Sequence, residues 1–206
     1  MFHDSDEITE MCKNLSKHIE QSKTEHEPDI IWNMNDDKPV VLQKAKMREQ
    51  EDPSENDEYE LVRFLHAQDY ENGGYRDALQ EVVNGRKRKH WIWYIFPQVK
   101  GLGHSHYSEY NGIGSLEEAS AYLEHNVLGM RLRVITNTLL QIKGKTAVEV
   151  FGGIDSMKVK SCMTLFDFVS PHDIFERVIE KYYNGQRCEL TLNRLSCSTN
   201  VDSSIT

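Results

Sequence analysis

Two stretches of the 206-residue sequence concentrate side chains able to do chemistry. The first is Gly85-Arg86-Lys87-Arg88-Lys89-His90-Trp91-Ile92-Trp93-Tyr94-Ile95-Phe96-Pro97-Gln98, followed by Gly101-Leu102-Gly103-His104-Ser105. Consecutive cations run into an aromatic helix that Pro97 must break. The ordinary reading is a core helix with a solvated first turn, since aromatic stripes usually pack inward. Cations at a helix start nevertheless oppose the macrodipole, and a nearby anion would relieve that. Arg86 and Lys87 are therefore candidates for phosphate, Trp91 and Trp93 for stacking, and His90 for acid/base work. Gly101, Gly103 and Ser105, with Gln98 before them, suit a backbone nest for an anion, although a glycine pair more often marks a tight turn.

The second stretch is Phe151-Gly152-Gly153-Ile154-Asp155-Ser156-Met157-Lys158-Val159-Lys160-Ser161-Cys162. On a helix Asp155, Lys158, Ser161 and Cys162 share one face. That face is either an exposed one carrying an i, i+3 ion pair or a site in which Lys158 meets an anion and Asp155 is its partner or an acid/base group. Cys162 lacks a neighbouring His and reads as core. His104-x-His106 has no carboxylate–His helix signature, so no metal site is assigned, and no nucleotide-cofactor fingerprint is present.

The elements that must position these residues are helical. Apolar periods with start and stop signals predict helices near 58–68, 75–84, 89–96, 116–125, 128–142, 146–151, 155–167, 172–183 and 188–195. Ser115 with Glu118 reads as a capping box, and Ser170 with Pro171 at the first helical position as a second start. Gly85 and Gly185 read as left-handed stops. No segment of five or more residues alternates as a strand should. The fold class is all-α: a single compact domain of eight or nine short helices, packed irregularly and orthogonally.

Charge sets the domain limits. Residues 1–58 hold 16 acidic and 7 basic side chains, whereas residues 59–206 hold 17 of each; all 12 glycines lie in the second part. The reading is an acidic, largely disordered extension over 1–57, a helical domain over 58–195 and a disordered tail over 196–206. Within the extension, Ile8, Met11, Leu15 and Ile19 have helical spacing, and Ser54-Glu55-Asn56-Asp57 matches a short acid-directed kinase motif of a kind common in linkers. The extension is the candidate surface for a protein partner. Net charge of −9 argues against a dedicated nucleic-acid binder. No apolar run is long enough for a membrane helix and no secretory signal opens the chain, so the expected location is cytoplasmic, with Arg86–Lys89 also compatible with nuclear import. Cys12, Cys162, Cys188 and Cys197 form no C-x-x-C pair and read as free thiols.

The strings Leu61-x-Arg63-Phe64, Ala67-Gln68, Ala78-Leu79, Gly85-Arg86-Lys87-x-x-His90-Trp91-x-Trp93-x-x-Phe96-Pro97-Gln98, Gly101-Leu102-Gly103-x-Ser105, Glu118-Ala119, Tyr122-Leu123, Leu128-Gly129-x-Arg131-Leu132, Phe151-Gly152-x-x-Asp155-x-x-Lys158-x-x-Ser161-x-x-Thr164-Leu165-Phe166 and Thr191-Leu192 resemble the domain-of-unknown-function 1810 family. These are mainly bacterial, all-helical proteins often labelled "calpastatin", a label without physical support in this sequence. The resemblance implies an all-helical fold over about 61–195 and supplies no activity or catalytic residue.

Its strings include Arg63, Gln68, His90, Asp155, Lys158 and Ser161, polar groups in helices otherwise suited to packing, which cost free energy to bury unless they are paired or bind something. The leading expectation is a pocket for a small anionic, nucleotide-like or ADP-ribose-like ligand, with hydrolysis by His90, Asp155 and Lys158 as one use. The alternative is a non-enzymatic interaction or ligand-sensing module. No motif fixes a reaction class. His90, Asp155 and Lys158 are expected to meet in one concave site, and Trp91 and Trp93, about 200° apart on a helix, to divide between core and pocket.

Overall fold

The computed structural model describes residues 30–33, 38–41, 57–70 and 73–199. The chain divides into two units, Met1–Asp57 and Glu58–Thr206. In the first, β1 (Ile30–Asn33) and β2 (Lys38–Val41) form an antiparallel pair with Ile30 opposite Val41 and Asn33 opposite Lys38. This pair lies in the extension read as largely disordered, where no strand is expected from the sequence. Each strand has four residues, shorter than any run the alternation argument counts, yet the Ile and Val residues favour extended backbone. The helical spacing at 8–19 and the Ser54 motif fall outside the described residues.

Among its described residues the second unit is all-helical in its regular elements, as the sequence implies. Its helices are α1 (Val62–Tyr70), α2 (Tyr75–Val83), α3 (Ile92–Ile95), α4 (His106–Tyr110), α5 (Leu116–Glu124), α6 (Leu128–Gln141), α7 (Ala147–Phe151), α8 (Gly153–Val169), α9 (Ile174–Tyr183) and α10 (Glu189–Thr199). Helix α8 is the hub: α3, α5, α7, α9 and α10 all pack on it, and it buries Val159 and every residue from Ser161 to Asp167. A helix enclosed this way needs apolar side chains on more than one face. Phe64, Tyr122, Phe166 and Phe175 form a continuous aromatic row, with ring centroids 5.0, 5.5 and 5.6 Å apart. A second cluster joins Trp91, Phe96 and Phe151.

Several boundaries differ from expectation for identifiable reasons. The helix expected over 89–96 is a single turn, because the backbone N–H groups of Arg88 and Lys89 bond to the Glu81 carboxylate and hold that stretch out of a helix. Residues 106–110, read as loop, form α4, with the Ser105 hydroxyl accepting from Ser108 N–H as an N-cap. Helix α9 starts after Asp173, whose carboxylate caps it, rather than at Pro171. Ser115 caps α5, but the Glu118 side chain turns to Gly114 N–H and Arg63; the reciprocal capping box occurs instead at Thr146 and Glu149. Gly85 and Gly185 do take left-handed φ values, +62° and +75°. Helix α10 continues to Thr199, four residues into the segment read as a disordered tail.

Candidate functional site

The site is assembled from a strap and a helix start. After α2 ends at Gly85, the chain runs without regular structure to Trp91, and Lys87 N–H bonds to the Val150 carbonyl of α7. That bond brings the strap beside the first turn of α8, where Gly152 takes φ +81° and supplies no capping side chain. A Cβ at Gly152 or Gly153 would meet nothing within 4 Å, so the space before the helix start is open. The first-turn amides have no intrahelical partner there, and the dipole favours negative charge.

Lys87, His90, Trp93, Phe151, Gly152, Gly153, Ile154, Asp155 and Lys158 line one shallow cleft of about 450 Å³. Asp155 is its electrostatic centre: Oδ2 lies 2.8 Å from Lys87 Nζ and Oδ1 lies 2.9 Å from Lys158 Nζ. The side chains are largely buried, with 8% of Lys87, 20% of Asp155 and 21% of Lys158 exposed. Burial alone would raise the Asp155 pKa, but hydrogen bonds and charge from both lysines hold its carboxyl below the ordinary carboxylate value. It is therefore ionised at neutral pH and orients the two ammonium groups. With one carboxylate between two lysines, the cleft keeps a surplus positive charge. Lys158 Nζ also sits 4.6 Å from the centre of the Trp93 ring, which stacks on Tyr107 at 5.4 Å and 25°.

His90, Asp155 and Lys158 thus meet in one concavity, with Lys87 and Trp93, although His90 precedes α3 rather than opening a longer helix. The two tryptophans divide, although Trp91 is the N-cap of the single-turn α3 and so not on one helix with Trp93, the placement that a separation of about 200° requires. Trp93 borders the cleft, whereas Trp91 is fully buried with its indole N–H donating to Glu81, so Trp91 offers no stacking surface to a ligand.

The remaining candidates are elsewhere and mostly paired. Gln68 is buried, donating to the Tyr94 carbonyl and Tyr122 hydroxyl and accepting from Arg131. Arg63 bonds to the Glu118 carboxylate and to the carbonyls of Tyr59, Glu60, Tyr110 and Gly112, beside a separate 330 Å³ cleft. Its donors are spent on closing the fold. Ser161 is buried against Thr191 at 2.8 Å. Arg86 is exposed on the strap but does not line the cleft. The Gln98 carbonyl accepts from Ile113 N–H. No nest forms at Gly101 and Gly103, because Arg194 covers the first and Ser108 the second, while Ser105 caps α4. Cys162 is enclosed, and burial pushes its thiol well above the ordinary range, which removes thiolate chemistry. Among the described residues no group of three or more His, Cys, Asp or Glu side chains could hold a metal ion, and no helix is long and apolar enough to cross a membrane.

Sequence reasoning did not single out Phe151, Gly152, Gly153 or Ile154 as lining residues, nor Tyr107 as the support of Trp93. The adjacent glycines just before Asp155 were the available signal for the first group. For Tyr107 the signal is tertiary.

A family model described as "Protein of unknown function (DUF1810)" matches residues 58–195. The chain belongs to the DUF1810 family. Among solved structures it is similar to the conserved hypothetical protein Rv1873 from Mycobacterium tuberculosis, at 41% identity and a TM-score of 0.64, over 67% of this chain and 97% of that one. No curated protein matches the chain. The matched DUF1810 region contains every residue of the lysine cleft and excludes the acidic extension.

Proposed function

We propose that the DUF1810 domain binds a small anionic ligand of the nucleotide or ADP-ribose class in the cleft between the 86–90 strap and the start of α8. The reading is carried by one observation: Lys87 and Lys158 are both held on Asp155 within an open space at the N-terminus of α8, with His90 and Trp93 beside them. Phosphate oxygens suit such a place, since ammonium groups and helix amides both favour negative charge. Trp93 supplies an aromatic edge for the non-phosphate part.

Hydrolysis is a further step, for which this reading takes His90 as the proton donor. Asp155 cannot donate a proton at neutral pH while its pKa is held down, and it serves to orient the lysines. This same arrangement favours, as a second reading, a ligand-sensing module that binds without turnover. Titration calorimetry of the full chain with inorganic pyrophosphate, AMP, ADP-ribose and ribose separates these outcomes. Binding of the phosphorylated compounds but not ribose is expected, with at least about a tenfold loss in Lys158→Ala, the order of one charge-assisted hydrogen bond. Equal affinity in wild type and Lys158→Ala would refute the cleft. Product release from ADP-ribose that disappears in His90→Ala would establish turnover.

A further inference from the structure

Glu81 is a buried carboxylate on α2 that lines neither cleft. Its oxygens accept from Arg88 N–H at 2.6 Å, from Lys89 N–H at 3.1 and 3.2 Å, and from the Trp91 indole N–H at 2.8 Å. The Glu81 carbonyl also accepts from Arg86 N–H at 3.0 Å. One residue therefore ties down the backbone at three points between Arg86 and Lys89, plus the core tryptophan that follows. Cations at four successive positions would otherwise repel one another, and a stretch without regular structure has no hydrogen-bond ladder to fix it.

We infer that Glu81 is a positioning residue: it holds the 86–90 strap in the one path that carries Lys87 inward to Asp155 and sets His90 at the cleft. The inference rests on the reading of that cleft as a ligand site. With the amides of Arg88 and Lys89 fixed on Glu81 and Lys87 N–H on Val150, Arg86 and Arg88 are exposed and the side chain between them, Lys87, turns inward. Lys87 Nζ then reaches Asp155 and, at 2.6 Å, the Lys89 carbonyl. Glu81 makes no contact with the cleft and acts only through the strap. All three donors reach Oε2, so a neutral amide of the same shape can keep its oxygen there, but it loses the negative charge that strengthens these bonds and turns its NH2 group toward Lys89 N–H in place of Oε1, which weakens the hold on the strap.

The test compares full-length wild type, Glu81→Gln and Glu81→Asp, with Val178→Ala, a fully buried position of α9 that does not line the cleft, as a control that weakens the core. Pyrophosphate is titrated into each, and tryptic cleavage after residues 86–89 is timed below the melting transition. Glu81→Gln should keep its helical circular dichroism, bind pyrophosphate at least about tenfold more weakly, roughly the loss of one charge-assisted bond, and be cut faster within the strap. Val178→Ala, although less stable, should bind and be cut within the strap like wild type. Glu81→Gln with wild-type affinity and wild-type strap cleavage overturns the inference, as does a Val178→Ala variant that loses binding equally. If Glu81→Gln does not fold, Glu81→Asp, whose carboxylate is withdrawn by one methylene, is judged on the same two measurements. If wild type itself fails to bind pyrophosphate or the nucleotides, the cleft reading falls; strap cleavage then decides the Glu81 role separately, an unchanged rate removing it and a faster rate retaining it.

Discussion

Replacing Asp155 by Asn should lower stability and raise anion affinity together. The change keeps the side-chain volume but leaves Lys87 Nζ, on a side chain 8% exposed, beside Lys158 with no countercharge. Breaking a fully buried pair costs about 3–5 kcal/mol. Here Asp155 and Lys158 retain about a fifth of their exposure, and an exposed pair contributes no more than about 1 kcal/mol. An intermediate loss of about 2 kcal/mol follows, a fall in Tm of roughly 6–8 °C for a domain of this size. Removing the negative charge also removes competition for the lysines, worth about 1 kcal/mol at a partly buried site, or roughly a fivefold gain in pyrophosphate affinity. The sign of the pH dependence is fixed as well. The folded carboxyl titrates below its ordinary value of 3.8, so its contribution is present above that pH and is lost as pH falls through the lower folded value. Differential scanning calorimetry of wild type and Asp155→Asn from pH 3 to 7, with and without pyrophosphate, should show curves that converge below about pH 4. An unchanged Tm at pH 7, or weaker anion binding in the variant, would refute the electrostatic account.

Trp91→Ala should cost about 3–5 kcal/mol in denaturant titration, because it empties a fully buried ring site and strips Glu81 of a donor; Trp93→Ala should cost less and reduce nucleotide affinity more. Equal, large losses from both would remove the Trp93 role. Arg63→Met should destabilise by about 3–5 kcal/mol, since Glu118 and four carbonyls lose their donor, without altering pyrophosphate affinity. Deleting residues 1–56 should leave the domain Tm within a few degrees, measured by calorimetry; insoluble protein would show that the extension contributes to the core.

The sequence alone determined the all-helical class of the domain and the partition of charge, because these depend on local spacing, the 3.6-residue apolar periods and the clustering of acidic residues before Tyr59; it implied that Trp91 and Trp93 divide but not which of them is buried. The expectation that His90, Asp155 and Lys158 meet agrees with the cleft, but its reason, two buried helix starts coming together, applies only to Asp155 and Lys158, because His90 stands on the irregular strap ahead of α3. What the sequence could not decide was which polar residue of the family strings would be used internally. Arg63, Gln68 and Ser161 have the same residue types as cleft residues, and only the arrival of Glu118, Tyr122 and Thr191 from distant helices consumes their hydrogen bonds. The 89–96 segment is shorter as a helix than its spacing predicts for a related reason. Its local pattern is helical, but Glu81 on α2 takes the amides of Arg88 and Lys89, and a buried carboxylate with several donors outweighs the few tenths of a kcal/mol that propensity offers per residue. Tertiary structure decided which groups were left facing open space, because hydrogen-bond satisfaction is a property of partners far apart in the chain, and spacing along the sequence does not record it.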